Sequence, residues 1–294
     1  MDPARRGLAL VVVSAVSFGG VAVLAKLLLA AGMSPPATQF WRWGIAALGL
    51  APFVLLRMRG MAPRVALAAF ALGFVGQGLT SGIYVASLQY VSAALGSFLL
   101  YLNPVFVAAL GAALLRERLG RRGLGALGLS MLGLALLAFG PGVRAEPLGV
   151  ALALVAALCY ACVILAGRKL VAAEPPLRVT LCLMAGATLS FALASLATGT
   201  LAPPPSPASW AHVALLAIVC TTLSVGTFYL GLPLLGAPRT ALVSTLEPVS
   251  TVFVAWAVLG EVFTPTQALG ALVVLGAVVL LAGEAAPSAP PAEV

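Results

Sequence analysis

Stretches of about 20 mainly apolar residues, parted by breaks of only a few residues, follow one another from Leu8 almost to Glu284. A helix of roughly 20 such residues crosses the hydrocarbon of a bilayer, and no water-soluble fold can hide so many. Composition agrees, since 62% of the residues are hydrophobic and 8% charged, against about 25% charged in ordinary soluble domains. Breaks at Pro, Gly and charge clusters place spans near 8–30, 37–57, 64–88, 92–115, 121–140, 147–168, 178–199, 209–234, 238–260 and 265–284. The chain therefore reads as an all-α integral membrane protein of ten transmembrane helices. Its second span is the weakest because Arg42 interrupts it, and snorkelling of Arg42 to the interface between Trp41 and Trp43 is the expected remedy.

The net charge of +8 is explained by position. With the N-terminus inside, one face collects Arg5, Arg6, Arg57, Arg59, Arg64, Arg116, Arg118, Arg121, Arg122, Arg168, Lys169, Arg178 and Arg239, while the other keeps Lys26, Arg42 and Arg144. Short cytoplasmic loops concentrate Lys and Arg, so both termini are expected in the cytoplasm, the chain being multi-pass in a bacterial-type inner membrane. Lipid is then the partner that the basic residues meet, and nucleic acid is not needed to account for them. Arg5 and Arg6 before an apolar run resemble a signal peptide, but the run continues through Ala30, so it reads as an uncleaved first helix. The Pro- and Ala-rich tail 285–294 is expected to be disordered.

Cys159 and Cys162 form a C-x-x-C pair inside a span, with one His in the whole chain. That is neither a zinc site nor a redox motif. No metal and no cofactor are expected. The chain also lacks a nucleotide-binding loop and a clustered nucleophile and base, so it does not read as an enzyme.

An internal repeat organises the rest. The run from Leu102, LNPVFVAALGAALLRERL, aligns without a gap on LEPVSTVFVAWAVLGEVF from Leu246, pairing Leu102, Pro104, Val105 and Glu117 with residues 144 positions on, and Asn103 with Glu247. Lys26 pairs with Arg168, and Pro35 and Pro36 with Pro175 and Pro176. This divides the chain into a first repeat, 1–140, a connecting loop, 141–146, a second repeat, 147–284, and the tail. Five helices per repeat is an odd number, so the second copy enters the membrane upside down. Basic residues crowd Glu117 and are missing around Glu261, as inverted repeats require, and two such halves enclosing a central cavity can expose it alternately to either side.

Glu247 falls near the middle of its span, where an acidic side chain costs about 2.5–3.5 kcal/mol on insertion scales. It needs a partner, a proton or water, and it is the candidate for binding a substrate amine or carrying a proton. Pro248 beside it removes a backbone donor and is expected to free the carbonyl of Ser244. Asn103, followed by Pro104, should sit at matching depth. Gln77, Thr80, Ser81, Tyr84, Tyr101, Tyr160, Ser17, Thr221 and Ser224 are the polar and aromatic residues expected to complete the cavity, with Ser14 and Ser97 among the weaker candidates. Glu117 and Glu261 read as caps of the helices that follow them, and Gly78-x-x-x-Gly82 with the glycines of the fifth span read as packing positions.

The run from Pro238 to Leu280, PRTALVSTLEPVSTVFVAWAVLGEVFTPTQALGALVVLGAVVLL, and its partner from Ala94 to Leu137 resemble the closing helices of the EamA family in the drug/metabolite transporter superfamily. Arg116 departs from the pattern where the second copy has Gly260. The resemblance implies one five-helix domain per half, a cavity lined by helices 1, 3, 4, 6, 8 and 9, and secondary transport of small molecules, with the amino-acid exporter branch implying the substrate class. Efflux of lipophilic cations is the first alternative. Phosphorylated sugars or sugar nucleotides would call for deep Arg or Lys, and no mid-membrane cation is expected. A structural or receptor protein is the alternative outside transport, and it predicts no cavity beside Glu247. The sequence leaves the oligomeric state open and is compatible with a monomer.

Overall fold

The computed structural model describes residues 2–57, 60–87, 90–91, 93–117, 119–138, 145–259 and 264–282. Glu261, Arg59, Arg118, Arg144, most of the connecting loop and the tail lie outside them, as do the side chains of Lys26, Arg57 and Ser97. The described residues are helical apart from turns and one isolated bridge between Val91 and Ala145. In chain order the apolar helices are α1 Pro3–Ala30, α2 Pro35–Leu56, α3 Pro63–Tyr84, α4 Phe98–Leu114, α5 Arg121–Ala138, α6 Pro147–Ala173, α7 Pro176–Ala197, α8 Pro207–Leu235, α9 Ala237–Val258 and α10 Pro265–Ala282. Nine of them reach the 18 residues that a crossing helix needs, and α4 is shorter. This is a multi-pass membrane protein.

Proline explains where most helices begin. Its fixed φ suits the first turn, where its missing N–H costs nothing, and α1, α2, α3, α6, α7, α8 and α10 each open on one. Two helices outrun their expected apolar spans by five residues. In α1 the Asp2 side chain accepts from the Ala4 amide and carries the helix through Arg5 and Arg6. The other is α6, which continues past Arg168 and Lys169 to Ala173 because charged residues end an apolar span without ending a helix.

Contacts between chain turns sort the loops into two groups. Trp41 Nε1 donates to the Ala202 carbonyl at 2.8 Å and Ser34 to Thr200, joining the α1–α2 and α7–α8 loops; the Glu146 amide donates to the Tyr90 carbonyl, joining α3–α4 to α5–α6. On the other face, the Ala62 amide donates to Glu174 at 2.9 Å, joining α2–α3 to α6–α7, and Glu117 meets Ala237, joining α4–α5 to α8–α9. The second group is the arginine-rich face.

Side by side, α1 packs on α8 and α3 on α6, α4 on α6 and α9 on α1, α3 on α7 and α2 on α8, with α2–α7 and α5–α10 as further pairs. Renumbering α1–α5 as α6–α10 and the reverse leaves those pairs unchanged, whereas α6–α8 and α7–α8 contacts have no comparable counterpart in the first half. Backbones come closest where α3 meets α7: a Cβ on Gly73 would collide with the Leu183 carbonyl, and one on Gly186 with the Phe70 carbonyl. A similar reciprocal approach joins Gly133 of α5 to Gly270 of α10. Small residues at such crossings let van der Waals packing hold helices together in lipid. Of the glycines expected to pack, a Cβ on Gly78 would press on Ser190, but one on Gly82 or Gly128 would meet nothing within 4 Å. The outward surface is apolar, with Leu48, Leu56 and Val279 more than 70% exposed, as a lipid-facing belt requires.

Candidate functional site

Five helices are irregular, and the irregularities surround one cavity. α1 is interrupted at Gly19–Gly20. α3 and α8 each contain one loosely wound π segment, Leu72–Gln77 and Ile218–Leu223. In α8 the widened turn exposes carbonyls that hydroxyls satisfy, Thr221 donating to Leu216 at 2.8 Å and Thr222 to Ala217 at 3.0 Å. α9 breaks at Ser244–Thr245, and α4 at Tyr101–Leu102.

These last two breaks are built on the same proline and sealed differently. Pro104 cannot donate to the carbonyl four residues back, Leu100, and the Asn103 side-chain amide does so instead at 3.0 Å. Pro248 likewise leaves the Ser244 carbonyl, but the Glu247 backbone amide takes it at 3.0 Å. The expectation that this carbonyl is free is therefore corrected: the chain tightens by one residue to cover it. An ionised carboxylate cannot cap a carbonyl, so Glu247 seals its break with backbone and keeps its side chain for the cavity.

The cavity holds about 460 Å³, within the roughly 300–1,000 Å³ typical of small-molecule sites. Of the expected residues, Glu247, Gln77, Thr80, Ser81, Tyr84, Tyr101, Tyr160, Ser224 and Ser244 line it, with Ser14 and Pro248. Asn103, Pro104, Ser17 and Thr221 do not. Asn103 is buried and spent on Leu100, and Pro104 is buried in the start of the same helix. The α1 part of the wall is Ser14, Ala15, Phe18, Val21 and Ala22, and Ser17 lies a third of a turn off it. Thr221 is fully buried behind the wall. The wall is concentrated in the half of the helices away from the arginine-rich face, reaching Gln39 and Gln267 near their ends. Glu247 lies midway along α9 and is half-buried, with part of its side chain open to the cavity; among the described residues it is the one carboxylate in the wall. Tyr101, Tyr160 and Arg42 lie within electrostatic range of it.

Arg42 is the main correction. It does not snorkel: it is 4% exposed, lines the cavity and supplies the deep cation that sequence reasoning had not expected. Its Nε donates to Thr221 Oγ1 at 2.7 Å and its Nη1 to Gln39 Oε1 at 3.3 Å. The guanidinium lies 5.1 Å from the Phe18 ring centre and 5.2 Å from that of Trp43, close enough for cation–π attraction. Trp41 alone takes the interfacial place, packed edge-on against Trp210 at 5.1 Å. Gln39, Trp43, Phe18, Phe228, Tyr229, Thr251 and Gln267 are further wall residues that sequence reasoning missed. The signal for Gln39 was its place three residues before Arg42 on one face of α2, with Arg42 about 10 Å into the helix at 1.5 Å per residue.

On the arginine-rich side of Ser244, the first turns of α9 form a buried plug. Residues Ala237–Val243, which open α9, are all buried. Glu117 holds the plug, but as a cap of α9 and not of the helix that follows it. Its Oε2 accepts from the Ala237 amide at 2.6 Å and its Oε1 from Arg168 Nε at 3.0 Å. The turn that aims it needs a left-handed residue: Arg116 has φ 56°, and the Glu117 amide reaches back to the Gly111 carbonyl, the closing pattern that usually carries glycine. Gly236, at φ 80°, lets the chain pass the carboxylate, where a Cβ would come within 2.9 Å of Oε2.

A helical membrane protein with a mid-span cavity of this size has the build of a carrier. The profile of the EamA-like transporter family matches it twice, over residues 5–139 and 147–283, and the chain belongs to that family. An uncharacterized transporter of Archaeoglobus fulgidus is 29% identical over 279 residues, 94% of this chain and 96% of the relative. The uncharacterized transporter YyaM of Bacillus subtilis is 24% identical over 264 residues, 85% of each. A crystal structure superimposes with a TM-score of 0.78 at 17% identity, covering 94% of this chain and 96% of that one, a likeness of fold.

Proposed function

We propose that this protein is a secondary transporter that exports amino acids or similar small polar metabolites by alternating access, with Glu247 receiving the cargo's ammonium group or a coupling proton. The observation that carries the reading is the placement of Glu247: midway along α9, on the wall of the cavity, and not used to seal its own helix break.

Two halves of opposite orientation, 1–140 and 147–284, supply the mechanism. Support comes from the packing pairs that survive exchange of the halves, from the π segments in α3 and α8, and from the loops that meet on each face. Both termini then lie on the arginine-rich, cytoplasmic side of a bacterial-type inner membrane, and the cavity belongs to a state closed towards the cytoplasm. Lipophilic cations suit a carboxylate among aromatic rings, but they would meet Arg42 in the same cavity.

Counterflow in proteoliposomes tests the reading. Glu247→Gln should fold and lose at least tenfold in the initial rate of amino-acid counterflow. Wild-type rates in that variant would remove Glu247 from the mechanism.

A further inference from the structure

Arg42 makes two of the hydrogen bonds that its side chain can offer, and both serve to hold it. Thr221 fixes Nε and Gln39 fixes Nη1, while Nη2 is buried with no partner. Two other wall residues carry buried donors in the same condition, the Trp43 indole Nε1 and the Thr80 hydroxyl. Buried polar groups without partners cost free energy, and three of them on one cavity are an unmet demand for acceptors. Across that cavity Glu247 presents the opposite need. The two charged groups lie within electrostatic range of each other, yet no ion pair joins them among the described residues.

We propose that Arg42 is the anion-binding subsite of the cavity and that it restricts the cargo to small zwitterions, whose carboxylate it holds through Nη2 while their ammonium group faces Glu247. This deepens the transport reading above and rests on it. A planar guanidinium anchored at two nitrogens offers the remaining one in a fixed direction, which suits a carboxylate better than a flexible ammonium would. The aromatic faces of Phe18 and Trp43 keep the group desolvated. A cargo with one charge of each sign leaves the cavity neutral, whereas a monocation leaves the guanidinium unanswered. A phosphate ester dianion brings two negative charges to one cation and one carboxylate.

The test is binding by the purified full-length protein in detergent, read as thermal stabilisation. Wild type is titrated with each of the twenty protein amino acids, and every one that binds is compared with its decarboxylated amine. We expect the amino acid to bind at least tenfold more tightly than the amine. Arg42→Gln should erase that preference by weakening the amino acid roughly 10- to 100-fold, the range for a lost hydrogen bond to a charged group, and leave the amine unchanged. If Arg42→Gln does not fold, Arg42→Lys serves, since it keeps the charge but cannot hold Thr221, Gln39 and a carboxylate together; about tenfold weaker amino-acid binding is expected. Should Arg42 variants bind amino acids like wild type while Glu247→Gln does not, the subsite is disproved and the carboxylate reading stands. Should no amino acid stabilise wild type, the substrate class falls with it.

Discussion

Replacing Glu117 by Ala should open the arginine-rich side of the cavity. The carboxylate caps α9 through the Ala237 amide at 2.6 Å and pairs with Arg168 at 3.0 Å, the two side chains being 23% and 21% exposed. A lost helix N-cap costs about 0.5–2 kcal/mol, and an ion pair this wet about 0.2–1 kcal/mol. If those contacts exist only while the plug is seated, the variant shifts the equilibrium towards the cytoplasm-open state by about 1–2.5 kcal/mol, roughly five- to seventyfold in population. Thr240 lies inside the plug and is fully buried, so a Thr240→Cys reporter, in a background without the four native cysteines, reads that opening. Maleimide labelling in membranes should rise by a similar factor when Glu117→Ala is added. Equal labelling rates with and without Glu117 would refute the argument that this contact holds the cavity shut.

Three further outcomes separate structural from cavity roles. Asn103→Ala should lower thermal stability by about 1–3 kcal/mol, because it strands the Leu100 carbonyl, and cargo affinity in the folded protein should hold; a loss of affinity at unchanged stability would place Asn103 in the site after all. Thr221→Val should weaken cargo binding about tenfold by releasing Arg42 Nε, whereas Thr222→Val, in the same widened turn, should not; equal effects would trace the loss to the turn itself. Gly186→Val should abolish monodisperse protein in size-exclusion chromatography, since its Cβ meets the Phe70 carbonyl, while Gly128→Ala, facing open space, should be tolerated.

Most of the spans were legible because apolar length is written in local sequence, and the prolines marked most helix starts. What local sequence did not carry was the destination of polar side chains. Arg42 was read as interfacial from its two tryptophan neighbours, yet its anchors, Thr221 and Phe18, come from α8 and α1. Glu117 was expected to cap the helix beside it, and its partner is 120 residues away. The repeat showed that Asn103 and Glu247 occupy matching turns; it could not show that one amide would be consumed by backbone. Glu247, Tyr101, Tyr84 and Gln77 were found in advance because large polar groups inside an apolar span have few places to go.

The unequal sealing of the two proline breaks sets the halves apart in a way that their common fold conceals. Were the two halves to exchange shapes in a transport cycle, they would not exchange chemistry, because the Asn103 side chain is turned onto its own backbone and that of Glu247 lines the cavity. On the proposed reading a zwitterion would bridge the halves, with its ammonium group at Glu247 of the second and its carboxylate at Arg42 of the first, so that release would require parting from both.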